Sequence, residues 1–233
     1  MLCSLLAATG LAGNPCSHFH DPSISEWLGY YDLKPTEHAG ERDVLDAIFD
    51  AARAYGTGNT DIFGLRLQRH SFGFFVRQMD ILYPDLTNDL ARFQAAFGKT
   101  LFIQLSRANK LDQAISYVKA SQTGLWHMAP DGTEIERLSE PQEPFYDAEA
   151  IARQLADLTA MDQQWEHWFA NQSLDPLRVT YDELSADPTS VLARILDALG
   201  LDQETAEGMA TPVAKLADAT SRNWAERFLA END

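Results

Sequence analysis

The stretch LFIQLSRANKLDQAISYVKASQTGLW, residues 101–126, joins a short apolar strand to a helix. A short apolar run that follows Gly98 is typical of a strand buried in a parallel sheet. Arg107 stands where this strand ends, and ligands of open parallel sheets bind beyond the carboxyl ends of the strands. The stretch therefore predicts both a parallel sheet and a ligand site at its edge.

A serine on the following helix extends this prediction. An Arg at a strand end and a Ser on the next helix can hold one phosphate through charge-assisted hydrogen bonds, and Arg107 and Ser116 have these positions. A surface arginine beside an ordinary helical serine gives the same local pattern. The spacing alone therefore leaves a phosphate site and a purely structural pair as alternatives.

Strands and helices alternate along the chain. Apolar or alternating runs predict strands at 61–67, 100–105 and 176–181, and helical patterns cover 41–55, 88–97, 110–122, 147–171 and 188–199. This order favours an α/β fold, with a parallel sheet flanked by helices, in a single domain over residues 1–233. The segment 128–146, rich in Pro, Gly and acidic residues, is predicted to be an active-site flap or an oligomer contact.

The composition excludes several classes of partner. With 35 acidic and 18 basic side chains, the formal net charge is -17, so the surface repels nucleic acid and any phosphate site must be built locally. No apolar run is long enough to cross a membrane. The opening residues MLCSLLAATGLAG lack the cationic start of a secretory signal, since no Lys or Arg precedes Lys34. Cys3 and Cys16 give little support for a disulfide, so we expect a reducing, cytoplasmic location.

Four stretches together resemble one family. They are LCSLLAATGLAGNP (2–15), FGLRLQRH (63–70), RANKLDQAISYVKASQTGLW (107–126) and KLADATSRNWAERF (215–228). They are similar to segments of bacterial sulfotransferases, in the group of trehalose 2-sulfotransferase and relatives that resemble lipopolysaccharide sulfotransferases. The resemblance implies transfer of a sulfuryl group to a hydroxyl of a carbohydrate or glycolipid, with a homodimer as one expected assembly.

The resemblance also implies a donor and the residues that bind it. The donor is 3′-phosphoadenosine 5′-phosphosulfate, and no metal is required. By analogy, Arg107 and Ser116 hold its 3′-phosphate, and Lys215 and Ser221 near the C-terminus close over the nucleotide.

A phosphate-binding turn precedes the first helix in these relatives. Backbone N–H groups at such a turn bind the 5′-phosphosulfate. This sequence begins one residue past the corresponding position. The expectation is therefore a P-loop-type parallel sheet without its first strand, and little transferase activity for a chain that starts at Met1.

The loop SHFHDP, residues 17–22, is the predicted source of the general base. Ser17 occupies the position where the trehalose enzymes carry a Glu base, so the base is expected to be one of the histidines beside it. His20 is the first choice and His18 the second, with Asp21 orienting His20. In an extended loop both imidazoles would point the same way, with Phe19 in the core. The alternative is that both are loop histidines with structural hydrogen bonds.

Three further residues are candidates for the site. Arg66 is placed near the transferred group by the resemblance, or it is a salt-bridged strand arginine. Trp126 and His127 follow the Ser116 helix and are candidates for the acceptor wall, although Trp126 also suits a core position. Trp165 and Trp168 on the long helix are predicted to be packing residues.

Two other functions remain open from the sequence. One is a non-catalytic nucleotide-binding or scaffolding protein. The other is a different P-loop transferase, such as a small-molecule kinase, which would need a GxxxxGK[ST] loop.

Overall fold

A computed structural model describes residues 1–34, 39–209 and 218–232. Its helices are Leu2–Ala8 (α1), Ile24–Tyr30 (α2), Glu41–Thr57 (α3), Arg69–Leu82 (α4), Asp89–Phe97 (α5), Lys110–Thr123 (α6), Ala148–Asn171 (α7), Tyr181–Ala186 (α8), Pro188–Leu199 (α9) and Ala219–Asn232 (α10). Its strands are Ile103–Ser106 (β1), Leu125–Met128 (β2), Glu134–Arg137 (β3) and Leu177–Thr180 (β4).

The parallel sheet that the sequence predicts is present as a pair of strands. β1 pairs with β4 in parallel, from Ile103 opposite Leu177 to Ser106 opposite Thr180, which confirms two of the three predicted strands. The alternating side chains point to opposite faces. One face packs on α1 and α9, while on the other Glu166 of α7 bonds to Gln104 and Arg178.

Helices therefore cover both faces of this parallel pair, as the α/β prediction requires. Within the described ranges the parallel sheet has two strands, and a P-loop-type arrangement remains a prediction. The burial expected for β1 is incomplete, because Leu105 is 47% exposed although Ile103 joins the core formed by α1 and α9.

The third predicted strand, at 61–67, is wrong. Leu65 forms an isolated parallel bridge with Cys16, and the Arg66 amide donates to the Cys16 carbonyl at 2.9 Å. The start of the segment is instead held against the end of α3, since the Gly64 amide donates to the Gly56 carbonyl at 3.1 Å. Because part of its backbone bonds to the end of a helix, the segment is extended but forms a single bridge instead of a strand.

The five predicted helices are confirmed, with ends shifted by at most a few residues. Asp187 caps α9 at Ser190, and Gly200 ends this helix with a left-handed φ of 73°. Helices α2, α4, α8 and α10 were not predicted. α4 lacks a side-chain cap and is rich in aromatic residues, and α8 begins at once after β4, where Thr180 and Glu183 form a capping box.

A hairpin occupies part of the segment 128–146 that was predicted to be a flap. β2 and β3 pair in antiparallel fashion, and the Leu138 amide donates to the Gly124 carbonyl at 2.8 Å. The role of the segment as a flap or an oligomer contact stays a prediction, but the sequence analysis did not predict β3. Its side chains are mostly exposed, which is why no strong apolar alternation marks this strand in the sequence.

An aromatic core fixes the loop that follows α1. Phe19 is fully buried between the rings of Trp27, Phe49 and Phe75, at centroid distances of 4.8–4.9 Å. Trp165 and Trp168 pack against Phe72 in the same core, which confirms their predicted packing role. No helix in the described ranges is long and apolar enough to cross a membrane.

Candidate active site

A cavity of about 640 Å³ lies between α1 and the segments that carry Ser17 and Arg66. The bridge between Cys16 and Leu65 holds these two segments side by side. The lining residues are Cys3, Ser4, Ala7, Ala8, Asn14, Pro15, Cys16, Ser17 and Arg66. Ser17 and Arg66, which the sequence predicts to belong to the site, therefore line the same cavity. Nothing in the local pattern of either stretch predicted that they lie close together.

The electrostatics of this cavity differ from those of the rest of the molecule. Among the described residues, those that line it include one arginine and no Asp or Glu, in a chain with a formal net charge of -17. Burial raises the pKa of both Cys3 and Cys16, so the two thiols are neutral near pH 7. A cation without a neighbouring carboxylate favours an anionic ligand.

A second cavity, of about 590 Å³, has the opposite character. It lies between β1, α6 and α7, and its cation Lys110 is paired with Asp162 at 2.5 Å. Glu166 on the same wall is bonded to Arg178, outside the cavity lining. The lysine of this cavity is therefore already neutralised and Glu166 is acidic, so the cavity offers little binding free energy to an anion.

The two histidines of the predicted base loop have different environments. His18 is 2% exposed and hydrogen-bonds to the Tyr31 hydroxyl at 2.8 Å, and burial lowers its pKa. His20 is exposed and packs edge-on against His70 at a centroid distance of 4.9 Å. The expectation that both imidazoles point the same way is wrong, because His18 fills a space between Tyr55 and Phe63.

Asp21 has a different partner from the one expected. Its carboxylate accepts a hydrogen bond from the Tyr30 hydroxyl, and its carbonyl accepts one from the Trp27 indole at 2.5 Å. Burial, together with the bond to Asp21, raises the pKa of Tyr30 to about 12. Asp21 therefore ties the loop to α2, and the predicted orientation of His20 by Asp21 is not seen.

Arg107 lies just beyond the carboxyl end of β1, as predicted. Its guanidinium lies over the ring of Tyr181, 4.8 Å from the centroid, and Tyr181 directly follows β4. Ser116 is half-buried in the middle of α6. The sequence did not single out Tyr181, but its position after a parallel strand is the same signal that identified Arg107.

The remaining candidates lie on α6, on the hairpin and near the C-terminus. Trp126 packs edge-on against Tyr117 at a centroid distance of 5.3 Å, and His127 Nδ1 lies 2.5 Å from Glu136 Oε2 across the hairpin. The Ser221 hydroxyl lies 3.1 Å from Asp218 at the start of α10, so it has a structural partner. Lys215 lies outside the described residues.

Gln68 is a polar residue near the cavity that the sequence did not identify. Its Nε2 donates to Ser17 Oγ at 2.7 Å, across the pair formed by Cys16 and Leu65. Arg66 and Gln68 are two residues apart in an extended segment and therefore share a side. The alternating positions of Arg66 and Gln68 were visible in the sequence. The bridge between Cys16 and Leu65, which places them beside Ser17, was not. Within the described ranges, no group of three or more potential metal ligands is found.

Comparisons with known proteins test the resemblance to sulfotransferases. The family model described as Stf0 sulphotransferase matches residues 1–231. A trehalose 2-sulfotransferase of Mycobacterium tuberculosis (strain ATCC 35801 / TMC 107 / Erdman) is 27% identical over 250 residues, which covers 99% of this chain and 90% of the relative. One of Mycolicibacterium smegmatis (strain ATCC 700084 / mc(2)155) is 28% identical over 248 residues, which covers 98% and 89%. The chain belongs to the Stf0 sulphotransferase family and is a sulfotransferase.

Proposed function

We propose that this protein moves a sulfuryl group from 3′-phosphoadenosine 5′-phosphosulfate to a hydroxyl of a carbohydrate or glycolipid. The observation that carries the proposal is Arg66, which lies in a cavity whose described lining has no carboxylate, beside the loop that carries Ser17. A sulfuryl group in transfer has negative oxygens, and a positioned cation stabilises them. Such a site is unusual in a strongly acidic chain and therefore supports anion chemistry.

Arg107 and Ser116 are the proposed ligands of the donor's 3′-phosphate. Arg107 lies at the sheet edge where ligands of parallel sheets bind, and its guanidinium stacks on an aromatic ring instead of being neutralised across the sheet. A stacked guanidinium keeps its N–H groups available at its edge. The geometry is therefore compatible with recognition of a phosphate by Arg107, with Ser116 on the next helix as the second donor.

The general base is proposed to be His20. It is exposed on the loop that carries Ser17, whereas His18 is enclosed by aromatic rings and already bonded to Tyr31. A neutral imidazole accepts a proton near pH 7. His20→Ala is expected to lower turnover by about a hundredfold or more with little change in donor affinity. His167→Ala, on the wall of the second cavity, is the matched control.

The acceptor proposal rests on the relatives and on the aromatic residues beside the hairpin. Both reported relatives are named for the sulfation of trehalose, a sugar. Tyr117 is 45% exposed and lies against Trp126, and the two rings offer an apolar surface on which a sugar can stack. His127 beside them provides a polar edge. The proposed acceptor class is therefore carbohydrate, free or as a lipid headgroup.

The experiment compares donors. The protein expressed from its own gene is incubated with a carbohydrate panel and either radiolabelled 3′-phosphoadenosine 5′-phosphosulfate or radiolabelled ATP. Label in the sugar from the sulfate donor alone is the expected result. Label from ATP would instead show a kinase, and nucleotide binding without any transfer would show a binding protein.

A further inference from the structure

A hydrogen bond joins the two walls of the cavity beside α1. Gln68 Nε2 donates to Ser17 Oγ at 2.7 Å, although the two residues are 51 positions apart. Ser17 lines the cavity together with Arg66. Since the hydroxyl oxygen already accepts this bond, its own hydrogen is available to another acceptor.

The side-chain amide of Gln68 is partly buried. Its Oε1 is buried, and among the described residues it has no hydrogen-bond partner. Its backbone carbonyl accepts from the Phe72 amide at 3.1 Å at the start of α4. An unsatisfied buried amide oxygen costs free energy, so Gln68 is a poor choice for packing alone. A polar residue kept there at such a cost suggests a role for its bond to Ser17.

The ligand that this cavity favours is an anion. Ser17 offers an O–H donor and Arg66 a guanidinium, and the described lining contains no carboxylate to oppose them. We propose that Ser17 donates a hydrogen bond to an oxygen of the transferred sulfuryl group, and that Gln68 is the positioning residue that aims the Ser17 hydroxyl. This inference rests on the proposed function and adds to it a donor and the residue that orients it.

The role follows from the charge that develops during transfer. The acceptor oxygen forms a bond to sulfur while the bond from sulfur to the bridging oxygen of the donor breaks. The nucleotide leaves with that electron pair as adenosine 3′,5′-bisphosphate, and the acceptor proton passes to the base. The three outer sulfuryl oxygens remain negative throughout. Donors that are already oriented stabilise this charge without reorganising, and Gln68 supplies that orientation for Ser17.

Two thiols in the cavity provide a readout that does not depend on turnover. Cys3 and Cys16 both line it and are free, so a bound anion slows their alkylation. In the 233-residue chain, alkylation by iodoacetamide is followed by mass spectrometry against inorganic sulfate, at constant ionic strength set with chloride. We expect Ser17→Ala and Gln68→Met each to raise the half-protecting sulfate concentration by about fivefold to tenfold.

The double variant distinguishes positioning from independent contact. If Gln68 acts through Ser17, the double variant loses no more than Ser17→Ala alone. Multiplied effects, or unchanged protection in the single variants, would overturn the inference. Gln78→Met is the matched control, because Gln78 is buried on the helix that follows Gln68 and its side chain donates to the Phe74 carbonyl at 3.3 Å, away from Ser17.

Gln68→Glu covers the case in which Gln68→Met fails to fold. A carboxylate has nearly the same size but no N–H group, so it reverses the bond by accepting the Ser17 hydrogen, which turns that hydrogen away from the cavity. We expect weaker sulfate protection than in Gln68→Met, whereas a purely structural role predicts protection close to the parent chain. Turnover of the same variants is measured in the protein expressed from its own gene. If the variants weaken protection of the thiols by sulfate but no protein transfers sulfate, the anion site is supported and the proposed function is contradicted. If sulfate is transferred but does not protect the thiols, the proposed function is supported and the anion site is contradicted.

Discussion

Lys119 Nζ lies 2.6 Å from Asp218 Oδ2, and this ion pair joins α6 to the start of α10. The other oxygen of Asp218 accepts a hydrogen bond from the Ser221 amide at 3.0 Å. Asp218 therefore caps α10 and holds it against the helix that carries Ser116. The contact continues in a buried cluster that includes Ile115 and Trp224.

This pair predicts a pH-dependent contribution to stability. Burial raises the pKa of Asp218, but the bonds from Lys119 and Ser221 outweigh that effect and lower the pKa from 3.8 to about 2. A depressed carboxyl pKa stabilises the native state above the unfolded value, and this stabilisation is lost as the pH falls from about 4 towards 2. The Asp218 side chain is 51% exposed, so Asp218→Asn should lower the free energy of unfolding at pH 7 by no more than about 1 kcal/mol.

Urea denaturation at pH 7 and pH 3 measures this effect. The difference between Asp218→Asn and the parent protein should shrink at the lower pH. Asp157→Asn, at an exposed position on α7, is the control and should leave both values unchanged. A loss at Asp218 that does not depend on pH would contradict the ion-pair explanation.

Gly13 fixes the turn that leads into the Ser17 loop. Its φ is +72°, and an added Cβ would lie 2.1 Å from the Ile62 carbonyl oxygen and 2.6 Å from that of Gly56. Gly10 has a similar φ of +66° but nothing within 4 Å. Both alanine variants carry similar backbone strain, but only Gly13→Ala also pushes the loop away from the backbone of Gly56 and Ile62. We expect Gly13→Ala to cost about 2 kcal/mol more than Gly10→Ala in urea denaturation. Equal losses would show that close packing at Gly13 is not needed.

Buried His18 predicts a second pH dependence of stability, which comes from a basic side chain instead of an acidic one. Burial lowers its pKa from 6.5, so the folded protein binds fewer protons than the unfolded chain just below that value. Stability contributed by neutral His18 is therefore complete above about pH 6.5 and decreases as the pH falls below it. In His18→Phe, the free energy of unfolding should change less between pH 7.5 and pH 5.5 than in the parent protein. An unchanged slope would place the titration elsewhere.

The sequence was sufficient for elements with a strong local signal. The apolar run at β1, the Asp187 cap of α9 and the Gly200 stop each have a local cause, and each element is found as predicted, although β1 is only partly buried. Arg107 at the strand end followed from the same reasoning. The resemblance supplied the family, which the match over residues 1–231 confirms.

Features that depend on contacts between distant segments were not accessible. Residues 61–67 alternate like a strand, but their backbone groups bond to the end of α3 and to Cys16. The sequence ranked His20 before His18 as the base, but the aromatic neighbours that enclose His18 are visible only in the structure. Gln68 gained its importance from a bond to a residue 51 positions away, which no local pattern reports.

Arg107 should distinguish nucleotides by their 3′-phosphate. In Arg107→Ala, affinity for adenosine 3′,5′-bisphosphate is expected to fall by about 1.5–3 kcal/mol, while affinity for adenosine 5′-monophosphate changes little. Arg153→Ala is the control, since Arg153 pairs with Glu149 on the exposed face of α7. Isothermal titration calorimetry gives both values. Equal losses for the two nucleotides would show that Arg107 supports the fold rather than the 3′-phosphate.

The central claim is that sulfuryl transfer takes place at the cavity that contains Arg66. The most direct test is the rate of transfer of radiolabelled sulfate to carbohydrate by the protein expressed from its own gene and by its Arg66→Ala variant. Arg77→Ala on α4 is the control, because Arg77 is exposed and lies over the Phe74 ring, away from the cavity lining. A loss of about a hundredfold or more is expected in Arg66→Ala and none in the control. Turnover by Arg66→Ala equal to that of the parent protein would contradict it.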